Sequence, residues 1–131
     1  NGEEEVVDYV LKYLSHMIQK PEEIPQVALL FQGLQGTGKD IATSQLGFMV
    51  GQKLIHKEEK CENIFGTFNS CMENKLVLQV NEISGTDGFK HKESFKDLIT
   101  AENLNIRRMR TELYDTPNYL RCFLFSKIYG Y

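Results

Sequence analysis

Residues 27–40 read VALLFQGLQGTGKD, five apolar residues followed by a glycine-rich turn and a lysine that opens a predicted helix. The spacing Gly33-x-x-x-x-Gly38-Lys39 meets the Walker A pattern, in which backbone N–H groups surround phosphate oxygens and the lysine neutralises the outer phosphates. The helix that follows adds the positive end of its dipole. The alternative is an ordinary glycine-rich turn between a strand and a helix. The predicted nucleotide contacts in this stretch are Gly33, Gln35, Gly36, Thr37, Gly38, Lys39 and Asp40.

Length and composition indicate one globular unit. The chain has 131 residues, 41% of them hydrophobic and 25% charged, which suffices for one core but not for two. No apolar run approaches the length that crosses a bilayer, and no signal segment opens the chain. We therefore expect a protein that is not secreted and has no membrane partner. Because the chain begins at Asn1 and not at methionine, we also expect it to be part of a longer polypeptide.

The cysteines do not form a recognisable framework. Cys61, Cys71 and Cys122 are an odd number without metal-ligand spacing. This favours reduced thiols inside a cell over disulfides, and it argues against a zinc site.

The charge is unevenly distributed along the chain. Residues 1–89 carry 7 Lys and Arg against 13 Asp and Glu, whereas residues 90–131 carry 8 against 5, within an overall net charge of −3. The positive charge is concentrated in residues 90–92 and in residues 107–110. An acidic chain is not typical of a free-standing nucleic-acid binder, and a basic cluster is often only a solvated face.

The alternation of helical and apolar segments predicts an α/β fold with a mostly parallel sheet. Residues 3–19 and 40–50 have helical periodicity, with Ile41, Ala42, Leu46 and Met49 of the second helix expected to face inward. Residues 27–31, 76–80 and 121–126 are strand candidates whose apolar character suits burial on both faces. The weaker assignments are a strand at 54–56, a broken helix at 61–72, a helix at 94–100, a hairpin arm after Leu104, and a turn at 115–118. We expect a helix at 1–20 followed by one core at 26–131.

A second candidate motif lies at the end of the predicted strand 76–80. An apolar strand that ends in an acidic pair is the Walker B arrangement, and here the pair is Asn81-Glu82. Glu82 has the position that suits a catalytic carboxylate, and Asn81 places an amide where a carboxylate is usual. Taken alone, Glu82 is better explained as a solvated carboxylate at a strand end. In a parallel sheet, however, ligands bind at the carboxyl ends of the strands, where both motifs lie.

The order of these features resembles the ATPase core of superfamily 3 helicases, in particular the poxvirus-type primase-helicases of large DNA viruses, phages and mobile elements. The resemblance rests on residues 27–39, 65–69, 76–82, 95–100 and 122–126. It implies a P-loop, AAA+-like three-layer sandwich in which the last strand lies between the Walker A and Walker B strands.

The resemblance also implies a function in DNA replication. ATP and Mg²⁺ would bind between subunits of a ring, commonly a hexamer, with single-stranded DNA through its centre and a primase domain in the same polypeptide. Localisation would be the cytoplasm or the viral replication site of the host cell. Lys39 and Glu82 would be catalytic, and Asp40, Asn81 and Glu82 would surround the metal. Lys96 and Thr100 would lie in a further motif, and the nucleic-acid contacts would be Lys96, Arg107, Arg108 and Arg110.

Three positions depart from the family pattern: Asp40 replaces Ser or Thr, Asn81 replaces Asp, and Lys127 replaces a sensor asparagine. One hypothesis is loss of hydrolysis, which leaves a nucleotide-binding assembly module. Another is a swap in which Asp40 supplies the carboxylate that Asn81 lacks. A small P-loop kinase or GTPase is a third reading, but the guanine-recognition motif is missing. Arg107, Arg108 and Arg121 are equal candidates for an arginine that acts on a neighbouring subunit.

Overall fold

The computed structural model describes residues 2–33, 39–81, 83, 86 and 90–127. Its helices include α1 (Gly2–Gln19), α2 (Lys39–Val50), α3 (Glu62–Phe65) and α4 (Lys92–Thr100), with 3₁₀ turns at Gln52–Leu54 and Ser70–Met72. The strands are β1 (Leu29–Gly33), β2 (Ile55–Glu58), β3 (Val77–Val80), β4 (Asn103–Ile106), β5 (Tyr114–Pro117) and β6 (Arg121–Lys127). The fold is α/β, as the segment pattern predicted.

Four of the strands form a parallel sheet with the order β1-β6-β3-β2. The last strand of the chain therefore lies between β1 and β3, and this confirms the position that the sequence resemblance implied. Strands β4 and β5 form a separate antiparallel pair, so the predicted hairpin is confirmed as well.

Each face of the sheet packs against other elements. On one face, Val77 and Phe123 pack with Tyr13 and Met17 of α1 and with Leu46 of α2. The opposite face carries a second cluster that includes residues of the sheet, of α4 and of the hairpin: Leu78, Val80, Cys122, Phe95, Leu98, Leu104 and Ile106. Burial of apolar surface on both faces is what holds a parallel sheet in place.

Several local expectations were wrong. β1 pairs with β6 alone among the described strands, and Leu30 is 56% exposed, so β1 is not buried on both faces. In α2, Leu46 is buried as expected, but Ile41 and Met49 are exposed, and the burial of Ala42 lies outside what the structure describes. The predicted turn at residues 115–118 falls mostly within β5, whose two-stranded pairing allows Pro117 at the strand end.

A buried arginine connects the first helix to the last strand. Arg121 is fully buried, and its guanidinium donates to the carbonyl oxygens of Lys20, Pro21, Glu23 and Tyr119. Burial lowers the pKa of the guanidinium, and the surrounding carbonyls offset part of the desolvation cost. Arg121 is therefore a structural residue, and its candidacy as an arginine that reaches a neighbouring subunit is wrong.

Candidate functional site

The carboxyl ends of three adjacent strands meet at one edge of the sheet. Gly33 at the end of β1 is paired with Lys127 of β6, and Val80 at the end of β3 is paired with Leu124. Helix α2 begins at Lys39, and five residues separate it from the end of β1. With neighbouring strands about 4.8 Å apart, β1 and β3 lie about 10 Å from each other on the two sides of β6. The register places the end of β3 three residues before the end of β1 along β6. This is the edge at which open parallel sheets bind ligands.

The predicted phosphate loop is only partly covered by the described residues. Gly33 closes β1, and the backbones of Lys39 and Asp40 form the start of α2. The predicted contacts Gln35, Gly36, Thr37 and Gly38, together with Glu82, lie outside the described residues. The predicted strand before the loop and the predicted helix after it are present, and the nucleotide contacts themselves remain predictions.

Asn81 uses both ends of its side-chain amide. Its Oδ1 accepts from Gln79 Nε2 at 2.8 Å, and its Nδ2 donates to Glu59 Oε1 at 2.9 Å. An aspartate at this position has no proton for Glu59 and would face it as a like charge. The hydrogen bonds therefore give a physical reason for asparagine here, which the sequence alone did not supply.

Gln79 of β3 has a buried side-chain oxygen without a hydrogen-bond donor in the described part of the chain, close to the carboxyl edge of the sheet. The residue is 1% exposed, and its Oε1 has no partner among the described residues. A buried amide oxygen without a donor is costly, and water or a hydrated ion is the usual solution. Mg²⁺ prefers oxygen ligands and retains several waters. The amide oxygens of Gln79 and Asn81 are therefore ligands of the type that the predicted Mg²⁺ prefers.

A groove of about 640 Å³ runs along β1 and β6 on the face of the sheet that carries α4, opposite to the face that carries α1 and α2. Its lining is apolar in the middle and reaches the carboxyl edge at Gln32 and Ser126. Lys92, Lys96 and Thr100 of α4 also line it. The Thr100 hydroxyl donates to the carbonyl oxygen of Lys96 in its own helix. The structure therefore places Lys96 and Thr100, the residues that the resemblance assigned to an additional motif, in a groove that reaches the carboxyl edge of the sheet.

The hairpin is anchored to the body of the molecule by a buried asparagine. Asn69 is 6% exposed, its Nδ2 donates to Asn105 O at 3.0 Å, and its Oδ1 accepts from Arg107 N at 2.7 Å. The Asn69 N–H also donates to Arg107 O. Three hydrogen bonds from one residue thus fix the end of β4, where the basic loop begins.

The three arginines of the loop at residues 107–113 have different roles. The Arg107 side chain donates to the carbonyl oxygens of Gly66 and Thr67. Arg108 pairs with Glu73 and lies 5.5 Å from the centroid of the Tyr114 ring. Arg110 is exposed, adopts a positive φ of 65°, and has no ion pair among the described residues. Of the three, Arg110 is the most available to a nucleic acid, and Arg107 is largely structural.

Sequence reasoning missed Asn69, Gln79 and Glu59 as individual residues. Asn69 lies inside a stretch that carried the family resemblance, but no periodicity distinguishes a buried asparagine from one in a loop. Gln79 lies within an apolar strand, and a glutamine between apolar neighbours was the available signal. Glu59 was not recognisable because its role depends on contact with Asn81.

Comparison with known sequences gives two results. A family described as a family of unknown function, DUF5906, matches residues 31–128. The DNA primase-polymerase of Nitratiruptor phage NrS-1 is 30% identical over an alignment of 117 residues, and the match covers 83% of this chain and 16% of that protein. The chain thus spans about a sixth of the curated relative that it matches. No helix among the described residues is long and apolar enough to span a membrane.

Solved structures give a consistent picture. Apo structures of the NrS-1 C-terminal region match with TM-scores of 0.71, 0.75 and 0.78 at 29%, 26% and 25% identity. They cover 85%, 92% and 95% of this chain, which spans 27%, 31% and 28% of theirs. The chain is therefore related in both sequence and fold to the C-terminal region of a phage primase-polymerase.

Proposed function

The chain belongs to DUF5906, and on that premise we propose that it is the ATP-binding and hydrolysing motor region of a phage-type DNA replication protein. In this proposal it has the P-loop, AAA+-like core of a superfamily 3 helicase. ATP hydrolysis at the subunit interfaces of a ring, commonly a hexamer, drives movement on single-stranded DNA. A primase domain in the same polypeptide accords with the name of the phage relative.

One observation carries the proposal. The parallel order β1-β6-β3-β2 brings the end of β1, with Gly33, to the same edge as Asn81 after β3. A glycine-rich segment with a lysine at the start of α2 is the arrangement that binds phosphates at such an edge. The sheet supports the assignment of the motif, because a phosphate-binding loop needs a strand before it and a helix after it at the carboxyl edge of a parallel sheet.

The residues divide by task. Lys39 supplies positive charge to the phosphates, and the N–H groups of the loop and of α2 donate to phosphate oxygens. Glu82 orients a water molecule, while the amide oxygens of Asn81 and Gln79 and the carboxylate of Asp40 lie in the hydration sphere of Mg²⁺. Bound ATP supplies the phosphoanhydride bond whose hydrolysis releases the free energy for movement.

The hairpin loop is the proposed contact with single-stranded DNA. Arg110 is exposed at the tip and Arg108 is half-exposed, and each phosphate that they neutralise releases counterions. Exposed Met109 and Leu113 on the same loop offer apolar contact to bases. Lys96 lies on α4 beside the groove and is a secondary contact in this proposal.

Nucleotide binding by the full-length protein tests the proposal. Titration of a fluorescent ATP analogue in the presence of Mg²⁺ should give saturable binding. Lys39→Ala should weaken it at least about tenfold, because a charge-assisted phosphate contact contributes roughly 1.5–3 kcal/mol. Lys53→Ala is the matched control, since Lys53 is exposed and lies in the 3₁₀ turn Gln52–Leu54 that follows α2. Equal affinity for both variants contradicts the proposal.

The proposed carboxylate swap between Asp40 and Asn81 has its own test. ATPase activity is measured for Asp40→Ser, Asn81→Asp and the double variant, and the swap predicts that the double variant exceeds the worse single one. Asn81→Asp should also be assayed with Glu59→Gln, because Glu59 would repel the new carboxylate. If the double variant is no better than the worse single one even with Glu59→Gln, the swap is wrong.

A second candidate function is a nucleotide-binding assembly module with little or no hydrolysis. The observation that favours it is the engagement of Asn81 with Gln79 and Glu59, which leaves this position neutral where a metal-binding carboxylate is usual. Steady-state ATPase activity with and without single-stranded DNA distinguishes the two functions. Stimulation by DNA supports the motor, whereas ATP binding without turnover supports the module.

A further inference from the structure

Three side chains with metal-binding chemistry meet at the edge of the sheet opposite β1. His56 and Glu58 are two residues apart on β2, so their side chains share one face of the strand. Cys71, in the 3₁₀ turn Ser70–Met72, lies against that face. One potential ligand atom from each residue lies within 4.8 Å of the other two. His56 Nε2 and Glu58 Oε1 are 3.2 Å apart.

This geometry is close to that of a tetrahedral zinc site. Zinc binds nitrogen and oxygen at about 2.0–2.2 Å and sulfur at about 2.3 Å, so neighbouring ligand atoms are roughly 3.3–3.6 Å apart. The separation of His56 Nε2 and Glu58 Oε1 nearly matches that range. The Cys71 sulfur lies within 4.8 Å of both ligand atoms. A hydrogen-bonded ion pair explains the His56–Glu58 contact, but it does not account for a thiol beside both groups.

The surroundings orient the carboxylate of Glu58. Its Oε2 accepts from Asn63 Nδ2 at 3.0 Å and from the backbone N–H of Glu59 at 3.1 Å. Oε1 is the oxygen turned toward His56. Hydrogen bonds of this kind hold a ligand in place for a metal. The His56 and Glu58 side chains are 24% and 13% exposed, so the cluster is half-buried and accessible to an ion.

We propose that His56, Glu58 and Cys71 bind one zinc ion that joins edge strand β2 to the turn at Ser70–Met72. The combination of thiolate, imidazole and carboxylate favours zinc over Mg²⁺ or Ca²⁺, which prefer oxygen ligands. Three protein ligands leave a fourth position for water or a further ligand. The neighbouring Asn69 anchors the hairpin through Asn105 and Arg107, so the ion also stabilises the base of that hairpin. Glu58 pairs with Val80 at the end of β3, and its carbonyl oxygen accepts from the backbone N–H of Asn81, so the site adjoins the proposed nucleotide edge. It uses different side chains from that edge, and it does not depend on the proposed function.

The cysteine spacing did not indicate zinc because the site does not follow a sequence motif. Two ligands come from one strand at alternate positions, and the third comes from a short turn 13 residues further along the chain. Only the packing of that turn against β2 brings them together.

Cobalt substitution tests the site in the full-length protein after removal of metal with a chelator. We expect one equivalent of Co²⁺ per chain with the near-ultraviolet absorption of a thiolate ligand, and displacement of Co²⁺ by Zn²⁺. Cys71→Ser and His56→Gln should remove this absorption and weaken zinc binding at least about tenfold. Cys61→Ala, which removes a buried thiol outside the cluster, should retain both. Absence of saturable binding, or wild-type binding by Cys71→Ser, overturns the proposal.

Protection of Cys71 from alkylation in the wild-type chain tests the site without any variant, and so it applies even if a variant does not fold. Zinc should slow the alkylation of Cys71 by iodoacetamide, as followed by peptide mass spectrometry, at least about tenfold. Alkylation of Cys71 at an unchanged rate with excess zinc overturns the proposal.

Discussion

At the scale of single residues, a few buried polar side chains decide where the larger parts lie. Arg121 joins the segment after α1 to β6, and Asn69 fixes the hairpin. Asn118 joins the end of α4 to the segment that leads into β6. Asn118 is 3% exposed, and its amide donates to the carbonyl oxygens of Leu98 and Ala101. Each of these side chains satisfies backbone groups that the helices and strands leave without partners.

Replacement of Arg121 by lysine should lower the free energy of unfolding by about 2–4 kcal/mol. The guanidinium donates to four carbonyl oxygens, and a lysine ammonium has only three donors on a flexible stem. Urea denaturation followed by circular dichroism measures the change. Arg110→Lys, at an exposed position, is the matched control and should change stability by less than about 0.5 kcal/mol. Equal stability of the two variants contradicts the structural role of Arg121.

Reactivity of the thiols should follow burial. Cys122 is buried in the core, and desolvation raises the pKa of its thiol to about 12. Its thiolate fraction at pH 8 is therefore negligible, and metal-free Cys71, which is only half-buried, should react first with iodoacetamide. Mass spectrometry of the native protein identifies the modified residue. Modification of Cys122 at the same rate as Cys71 would show that the core opens far more readily than this packing allows.

At the scale of secondary structure elements, the arginines of the hairpin loop should separate into two classes. Arg110→Ala should weaken binding of single-stranded DNA and reduce its salt dependence by about one phosphate contact, with stability unchanged. Arg107→Ala should instead destabilise the hairpin, because it removes two hydrogen bonds to the backbone at Gly66 and Thr67. Fluorescence anisotropy with an oligonucleotide and urea denaturation measure the two effects. A loss of DNA binding in Arg107→Ala only would reverse the assignment.

The contact between the hairpin and Glu73 should depend on pH. The Tyr114 hydroxyl and the Arg108 guanidinium lower the pKa of the Glu73 carboxyl below its ordinary value of 4.5. The pair is therefore fully formed above pH 4.5, and its stabilisation is lost as the pH falls through the lowered pKa of the folded state. Tyr114 ring signals in NMR spectra should follow that transition. They should not follow it in Glu73→Gln, and an identical pH profile in both proteins contradicts this contact.

The helices and strands with a clear pattern could be predicted from the sequence. The periodicity of α1 and the apolar runs of β3 and β6 were sufficient, because burial of such segments determines their structure. The inward positions in α2 were only partly predictable. Ile41 and Met49 fit the helical period but are exposed, since a period cannot show whether another layer covers that side. The segment at residues 115–118 has turn-forming residues, but pairing with β4 overrides that preference.

At the scale of the whole molecule, topology turns a short motif into a candidate site. A Walker A spacing alone is equally compatible with an ordinary turn, but the order β1-β6-β3-β2 brings the end of β1, where that spacing begins, to the same edge of the sheet as the end of β3. The resemblance predicted this order, since it placed the last strand between the other two. The details at the edge could not be predicted, because the contacts of Asn81 with Gln79 and Glu59 join residues from two strands.

The conformation of residues 33–40 with nucleotide bound tests the central claim most directly. A crystal structure of the full-length protein with a non-hydrolysable ATP analogue and Mg²⁺ should show their backbone N–H groups converging on the phosphates. Lys39 should contact the outer phosphates, and Glu82 should approach the same pocket from the end of β3. An open loop with the nucleotide bound elsewhere, or Glu82 turned away from the phosphates, would contradict the assignment as an ATPase.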